Sequence, residues 1–349
     1  MNLFITGIGG FIGVHLTRLI LEKTDWKIVG LDINNEKILD LLDHPNLTFI
    51  KADCFQSHDI ICEQVQNADV VLPMAAIANP LLYVEQPLDV FRLDFEENLR
   101  IVKYCIAHKK RIIFPSTSEV YGMSTDTFFE EEKSTLITGP INKERWIYST
   151  SKQLLDRVIY AAGNHEGLDF TIFRPFNFLG PLEDDPFARC KSNRVIPTFI
   201  SKVLYGEDIT LVDGGEQKRC FVDIDDATEA LFRIIENKDH RASGQIFNIG
   251  APKNEHSIKE IAEMVLSSAE KISGYESVRD HVNIIIESGK KYYGKGYQDL
   301  ERRMPSVEKI EHALNWSATT STVDSIDKTM RFYLQDMAQK KGHIPYKKL

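Results

Sequence analysis

Tyr148 and Lys152 lie four positions apart, a spacing that could support proton-transfer chemistry. Four residues make about one helical turn, so both side chains can point at one site. An unperturbed phenol has a pKa of about 10 and is a poor base at neutral pH, but a nearby ammonium favours the phenolate. Such a pair can take a proton from a hydroxyl group while the carbon that bears it gives up hydride. The same spacing is also typical of an ordinary amphipathic helix turn.

A polar segment earlier in the chain strengthens the catalytic interpretation. It begins at Pro115, where the fifth predicted strand ends, and contains Thr117, Ser118 and Glu119. Both this segment and the tyrosine are expected at the mouth of one sheet. We therefore predict a catalytic group made of Thr117, Ser118, Glu119, Tyr148 and Lys152.

A glycine-rich turn follows the first predicted strand. Gly7, Gly10 and Gly13 form a G-x-x-G-x-x-G spacing, and a helix is predicted from about Val14. Glycines permit a tight turn and let a pyrophosphate approach the N–H groups at the helix N-terminus. The predicted phosphate contacts are Gly7, Gly10, Phe11, Ile12 and Gly13.

Asp32 ends the second predicted strand, 19 residues after Gly13. An acid at this place can accept hydrogen bonds from ribose hydroxyls and repels a 2′-phosphate, which favours NAD over NADP. Asp53 follows the third strand and is predicted to meet the adenine edge, with Cys54 beside it. Asp53 is equally typical of a helix N-cap. We predict NAD as the cofactor, with Tyr148 and Lys152 also among the residues that contact it.

The order of elements predicts the fold class. Strand-like and helical segments alternate through the first half of the chain, which implies parallel strands with crossover helices. We predict an α/β doubly wound parallel sheet of the Rossmann type with a second, smaller substrate-binding lobe. The NAD-binding domain is expected to comprise residues 1–175 plus about 220–250, and the nucleotide-sugar lobe residues 176–219 and 251–349.

Composition restricts the partners. The chain has 349 residues and a formal net charge of −9, which argues against a nucleic acid or an anionic membrane surface. No apolar run reaches the roughly 18 residues of a membrane helix, and no signal peptide is expected before the first strand. The five cysteines are scattered without a metal-ligand pattern. We expect a cytoplasmic protein without a metal or membrane partner.

At this point the chain resembles the extended short-chain dehydrogenase/reductases along nearly its whole length. More closely, it is similar to the UDP-glucuronic acid decarboxylase domain of bifunctional polymyxin-resistance enzymes and to UDP-xylose and UDP-4-keto-pentose synthases. The matching segments are residues 94–100, 114–122, 148–157, 173–177, 213–215, 217–221 and 292–299. The resemblance implies NAD-dependent oxidation at C4 of UDP-glucuronic acid followed by decarboxylation.

The resemblance also implies residue roles. Glu119 and Arg303 would have acid/base roles, although without the resemblance Arg303 is more typical of a surface charge. Arg219 is suited to the diphosphate. The implied substrate-binding residues are Ala78, Tyr83, Thr117, Ser118, Arg145, Asn177, Gln217, Arg219 and Tyr297. The sequence departs from the family at Thr210 and in the loop 182–191.

Two other functions stay open. A 4-epimerase or a dehydratase would act on a neutral hexose, and a non-catalytic NAD-binding scaffold could use the same fold. Sugar 4,6-dehydratases typically have Asp at the position of Ser118, and a serine supplies a proton poorly, which disfavours dehydration. A scaffold would typically have lost the Tyr/Lys pair.

The long predicted helices from Asp94 to His108 and from Ser149 to Glu166 are apolar on more than one face. This pattern suits a homodimer formed through a four-helix bundle, and burial within the monomer explains it equally well.

Overall fold

The computed structural model describes residues 1–188, 194–292 and 302–338. Its strands are β1 Asn2–Thr6, β2 Lys27–Asp32, β3 Leu47–Lys51, β4 Val70–Pro73, β5 Arg111–Pro115, β6 Phe170–Pro175, β7 Phe178–Leu179, β8 Ile209–Val212, β9 Lys218–Cys220, β10 Val222–Asp223, β11 Gln245–Ile249, β12 Glu255–Ser257, β13 Ile284–Glu287 and β14 Arg302–Arg303. Its α-helices are α1 Phe11–Lys23, α2 His58–Asn67, α3 Leu82–Glu85, α4 Pro87–Phe91, α5 Asn98–His108, α6 Trp146–Glu166, α7 Val195–Tyr205, α8 Ile224–Glu236, α9 Ile258–Ala269, α10 Val278–His281, α11 Gly289–Tyr292, α12 Glu308–Leu314 and α13 Thr322–Met330. A π-helix, Arg92–Glu97, joins α4 to α5, and another, Arg331–Met337, follows α13.

A seven-stranded sheet forms the centre of the molecule, in the order β11-β6-β5-β4-β1-β2-β3. Every neighbouring pair in it is parallel. The strand order reverses beside β1, which is the crevice where ligands bind in doubly wound sheets. The predicted α/β Rossmann fold is confirmed.

Both faces of the sheet are covered by helices, so its strands are nearly continuous apolar runs. Alternation along β1 shows how: Leu3 and Ile5 join the core beneath α1 and α8, whereas Phe4 joins the core beneath α2, α5 and α6. This packing holds the carboxyl ends of the strands at one edge, where the chemistry-bearing residues emerge.

A second apolar core lies outside the large sheet. It is built from α7, α9 and α13 and from the parallel pair of β8 and β13. A small sheet in the order β12-β9-β14 brings together three short strands from the second half of the chain. Ile310 and Trp316 pack in the core beneath α8 although they lie within residues 251–349. The exact boundaries of the two predicted lobes stay a prediction.

In the described part of the chain, no helix combines the length and apolar character needed to cross a membrane.

Candidate functional site

A cleft of about 410 Å³ opens at the carboxyl edge of the large sheet. This volume is within the usual range for small-molecule sites. Residues predicted separately as catalytic, cofactor-binding or substrate-binding come together in its lining: Gly7, Gly10, Phe11, Ile12, Gly13, Ala78, Tyr83, Thr117, Ser118, Glu119, Arg145, Tyr148, Lys152, Asn177, Gln217, Arg219 and Arg303.

The glycine turn packs closely against neighbouring backbone at the start of α1. Gly7 has a φ of 73°, and a Cβ there would lie 2.6 Å from the Ala75 nitrogen. A Cβ on Gly13 would lie 2.5 Å from the Ile8 oxygen. The N-cap residue Gly10 brings no side chain to the helix end, so the first-turn amides keep their hydrogen-bonding capacity for an anion. These residues fit the diphosphate of a dinucleotide.

Asp32 braces the glycine turn from the end of β2. Its carboxylate accepts hydrogen bonds from the Gly9 N–H at 2.9 Å and the Asn34 N–H at 3.1 Å. Asp32 is not among the residues that line the cleft. The predicted contact of this carboxylate with a ribose stays a prediction.

Asp53 caps a short 3₁₀ turn, because its carboxylate accepts a hydrogen bond from the Phe55 N–H at 3.0 Å. Asp53 therefore has the helix-cap role that the sequence left open, while its contact with adenine stays a prediction. Burial, with a smaller contribution from the negative charge of Asp53, raises the pKa of the adjacent Cys54 thiol to about 12. The thiol is neutral at physiological pH, which suits an apolar contact.

Tyr148 projects from the first turns of α6 and is buried in the cleft. Its phenol is hydrogen-bonded to the Thr117 side chain, and its ring stacks on Tyr83 with 4.5 Å between centroids. Burial raises the pKa of Tyr148 strongly, and the negative charges of Asp94 and Glu119 raise it further. The bond to Thr117 lowers this pKa.

Lys152 lies one turn farther along α6, with its ammonium 6.0 Å from the centroid of the Tyr148 ring. The same ammonium is 3.4 Å from the Asp94 carboxylate and 4.9 Å from the Phe114 ring centroid. The expected proximity of phenol and ammonium is present. Sequence reasoning missed that the lysine's charge is shared with a buried acid.

Glu119 is held between two guanidinium groups. Arg145 contacts one carboxylate oxygen at 3.1 Å, and Arg303 contacts the other at 3.5 Å. Arg303 belongs to β14 and pairs in register with Arg219 on β9, which brings both arginines to the cleft. From sequence alone Arg303 resembled an ordinary surface charge, yet it is buried beside an acid 184 positions away.

A buried polar network supports the floor of the cleft. The Ser116 hydroxyl donates to Asp156 at 2.9 Å, and the Arg174 guanidinium donates to the same carboxylate oxygen at 3.0 Å. Arg174 also donates to the Tyr121 hydroxyl at 3.0 Å. Because every member is buried, the network helps to fix the segment after β5 that contains Thr117, Ser118 and Glu119.

Two cleft residues, Glu183 and Arg194, were missed by sequence reasoning. Glu183 lies in the loop 182–191, which departs from the family, and Arg194 follows that loop by three residues, so the departure was the available signal. The Arg194 guanidinium donates to the Ala78 oxygen at 3.2 Å and lies 4.0 Å from the Glu183 carboxylate. Burial raises the pKa of Glu183 to about 8.

Asn177 and Tyr297 complete the predicted set. Asn177 adopts a φ of 42°, and its side chain donates to the Cys220 oxygen at 3.0 Å, so it ties β9 to the end of β6. Tyr297 lies outside the described residues.

Comparison with known proteins gives consistent results. Residues 3–250 match the NAD dependent epimerase/dehydratase family. The chain is similar to the PbgP3 protein from Burkholderia pseudomallei, with 40% identity, 98% of this chain and 99% of that chain covered, and a TM-score of 0.87.

Two more distant crystal structures share the fold. A UDP-glucuronic acid 4-epimerase from Bacillus cereus, in complex with UDP-glucuronic acid and NAD, is 21% identical over 96% of this chain and 99% of that chain, with a TM-score of 0.80. DesIV, a dTDP-glucose 4,6-dehydratase from Streptomyces venezuelae solved with NAD, is 22% identical over 97% and 98%, with a TM-score of 0.81. The family match, the parallel sheet and the glycine cradle agree with one another, and this chain belongs to the NAD dependent epimerase/dehydratase family.

Proposed function

We propose that this enzyme uses NAD to oxidise C4 of UDP-glucuronic acid and then decarboxylates the product. UDP-4-keto-pentose, UDP-xylose or both would be released. The observation that carries the proposal is one cleft in which the Tyr148 phenol, the Glu119 carboxylate and the Arg303 guanidinium lie beside the glycine cradle. The resemblance of the sequence to UDP-glucuronic acid decarboxylases supplies the identity of the substrate.

The cofactor-binding residues have distinct tasks in this proposal. Bound NAD supplies an acceptor for the electrons of the C4–H bond and a positive charge beside the phenol. The first-turn amides at Phe11 to Gly13 would bind the diphosphate, and Asp32 the adenosine ribose. Lys152 would hold the ribose nearest the reacting carbon.

Tyr148 would take the proton from the C4 hydroxyl. In the protein by itself, burial, Asp94 and Glu119 keep the pKa of the phenol high, so the tyrosine is protonated at neutral pH. A positive charge brought into the site lowers this pKa, as do the hydrogen bond from Thr117 and the charge of Arg194. The base would therefore form when the cofactor is in place.

Decarboxylation follows from the chemistry of the oxidised sugar. A ketone at C4 is β to the C6 carboxylate, so the C5–C6 bond breaks and its electron pair becomes an enolate at the C4 oxygen. Tyr148 and Thr117 would donate hydrogen bonds to that oxygen. Protonation at C5 would use Glu119, whose position Arg145 and Arg303 fix.

The charge of the cleft supports an anionic substrate. Arg145, Arg194, Arg219 and Arg303 all line it, which is more positive charge than the acids Glu119 and Glu183 balance. Arg219, beside Gln217, would bind the diphosphate of UDP. The surplus guanidinium charge suits a sugar that carries a carboxylate of its own.

A 4-epimerase is the second candidate, since the UDP-glucuronic acid 4-epimerase of the same fold also takes a uronate. Ser118 disfavours a dehydratase, because a hydroxyl is a poor general acid. The decisive experiment is incubation with NAD and UDP-glucuronic acid followed by mass spectrometry of the sugar nucleotide. We expect a product that has lost carbon dioxide; a product that keeps its carboxyl carbon would reject decarboxylation.

A Tyr148→Phe variant tests the assignment of the base. We expect its turnover to fall by about two orders of magnitude or more while NAD still binds. Tyr160→Phe is the matched control, because it removes a phenol that is exposed on the same helix. Equal loss in both variants would contradict the assignment.

The proposed setting is a cytoplasmic homodimer. Leu154 is exposed on α6, and it would pack against α5 and α6 of a second copy in a four-helix bundle. Light scattering tests this: Leu154→Glu is expected to yield monomers, and a monomeric native protein would exclude the bundle.

A further inference from the structure

A buried acid, Asp94, lies behind the catalytic pair. Its side chain is fully enclosed, and one carboxylate oxygen is 3.4 Å from the Lys152 ammonium. The other oxygen accepts a hydrogen bond from the Ile77 N–H at 2.9 Å. One carboxylate therefore connects the lysine to the backbone segment 75–78, which contributes Ala76 and Ala78 to the cleft wall.

The helix that carries Asp94 is locally widened. Between α4 and α5 the chain makes the π-helical turn Arg92–Glu97, an arrangement that is rare and frequent at functional sites. Asp94 lies in this turn and Asn98 directly follows it, and both side chains bond to the segment 75–78. Asn98 donates to the Ala75 oxygen at 3.4 Å and to the Leu93 oxygen at 3.0 Å. The turn thus holds the wall at two points.

We propose that Asp94 is a positioning residue that acts on Tyr148 through Lys152. It neutralises part of the lysine's charge and anchors the segment 75–78, and so it sets the pH range in which the tyrosine can act as a base. The inference rests on the proposed role of Tyr148 in catalysis.

The electrostatic reasoning follows from the surroundings. An enclosed anion opposes the formation of a second anion nearby, and Lys152 offsets this repulsion only in part. Other charged or titratable groups also face the pair from neighbouring elements: Tyr83, Glu119, Asp156, Arg174 and Arg194. Asp94 differs from these groups because it is the acid in direct contact with the Lys152 ammonium.

The test is the ionisation of Tyr148 in the NAD-saturated protein, followed by the ultraviolet absorbance of phenolate. Subtracting the matching protein that also carries Tyr148→Phe isolates this one phenol. For Asp94→Asn we expect the midpoint to fall by about one pH unit, since one buried charge near the phenol has been removed. In a plot of kcat/KM against pH, the acidic limb should move by the same amount in the same direction.

Glu97→Gln is the matched control. Glu97 is a mostly buried acid in the same turn, but it pairs with His58 at 2.8 Å and with Arg100 at 3.5 Å, not with Lys152. Its midpoint should equal that of the native protein. Asp94→Glu restores the charge and should return the midpoint toward the native value.

An unchanged or raised midpoint in Asp94→Asn would overturn the proposal, because it would mean that Asp94 only fills space or only keeps the lysine charged. If the asparagine variant does not fold, Asp94→Ser removes the same charge with a smaller side chain, and the same criteria apply to it. No sugar is needed for the titration. A shifted midpoint together with no product from UDP-glucuronic acid would therefore reject the proposed function and leave this inference standing.

Discussion

Replacing Gly7 with alanine should destabilise the fold, and the structure gives the size of the effect. Gly7 has a φ of 73°, where an L-residue is strained by about 1–2 kcal/mol. The new Cβ would also lie 2.6 Å from the Ala75 nitrogen and 2.7 Å from the Met74 carbonyl carbon, both of them backbone atoms. Overpacking of this kind costs about 1–3 kcal/mol. The expected total is about 2–5 kcal/mol.

Two other glycines separate the contributions. Gly167 also has a φ of 73°, but a Cβ there meets no atom within 4 Å, so Gly167→Ala measures the backbone strain alone. Gly10 has a φ of −73°, so Gly10→Ala adds no backbone strain, and its one close contact, 3.1 Å from the Gly7 oxygen, should cost less than the contacts of Gly7→Ala. Its methyl group would instead occupy the helix end where we propose that the diphosphate binds.

The assays are thermal unfolding and NAD titration by calorimetry. We expect the free energy of unfolding to fall most for Gly7→Ala, less for Gly167→Ala and least for Gly10→Ala. The dissociation constant for NAD should rise roughly tenfold or more in Gly10→Ala, since one charge-assisted hydrogen bond contributes about 1.5–3 kcal/mol. A folded Gly10→Ala protein with native NAD affinity would refute the placement of the diphosphate.

Three further predictions concern single carboxyl groups. Asp32→Asn should weaken NAD binding by roughly tenfold and narrow the preference over NADP, since it removes the charge that repels a 2′-phosphate; calorimetric titration with both dinucleotides checks this. Burial raises the pKa of Glu183 to about 8 in the folded protein, whereas the unfolded chain keeps the usual value. The contribution of Glu183 to stability is therefore fully present below the usual pKa and is lost as the pH rises through 8. The free energy of unfolding of the native protein should therefore fall relative to that of Glu183→Gln between about pH 5 and pH 9. If the two proteins show the same dependence of this free energy on pH, the raised pKa of Glu183 is contradicted. Asp156→Asn leaves the buried Arg174 charge uncompensated and should cost about 3–5 kcal/mol in denaturant unfolding; a loss below about 1 kcal/mol would show that the network is not needed for stability.

The local sequence was sufficient to predict those features that depend on residues close together along the chain. The glycine spacing and the alternation of strands and helices predicted the Rossmann sheet, because turn geometry and the burial of both sheet faces are properties of short segments. Tyr148 and Lys152 were predicted for the same reason, since one helical turn separates them whatever packs around them.

The tertiary structure decided which charges meet. Glu119 lies between Arg145 and Arg303, and no pattern along the chain links residues 184 positions apart. The pairing of Asp94 with Lys152 depends on a π-turn packing against α6, and the high pKa of Glu183 depends on the burial of that side chain at the cleft. Ionisation is set by burial and by charges that are near in space, and these depend on the packed chain as a whole.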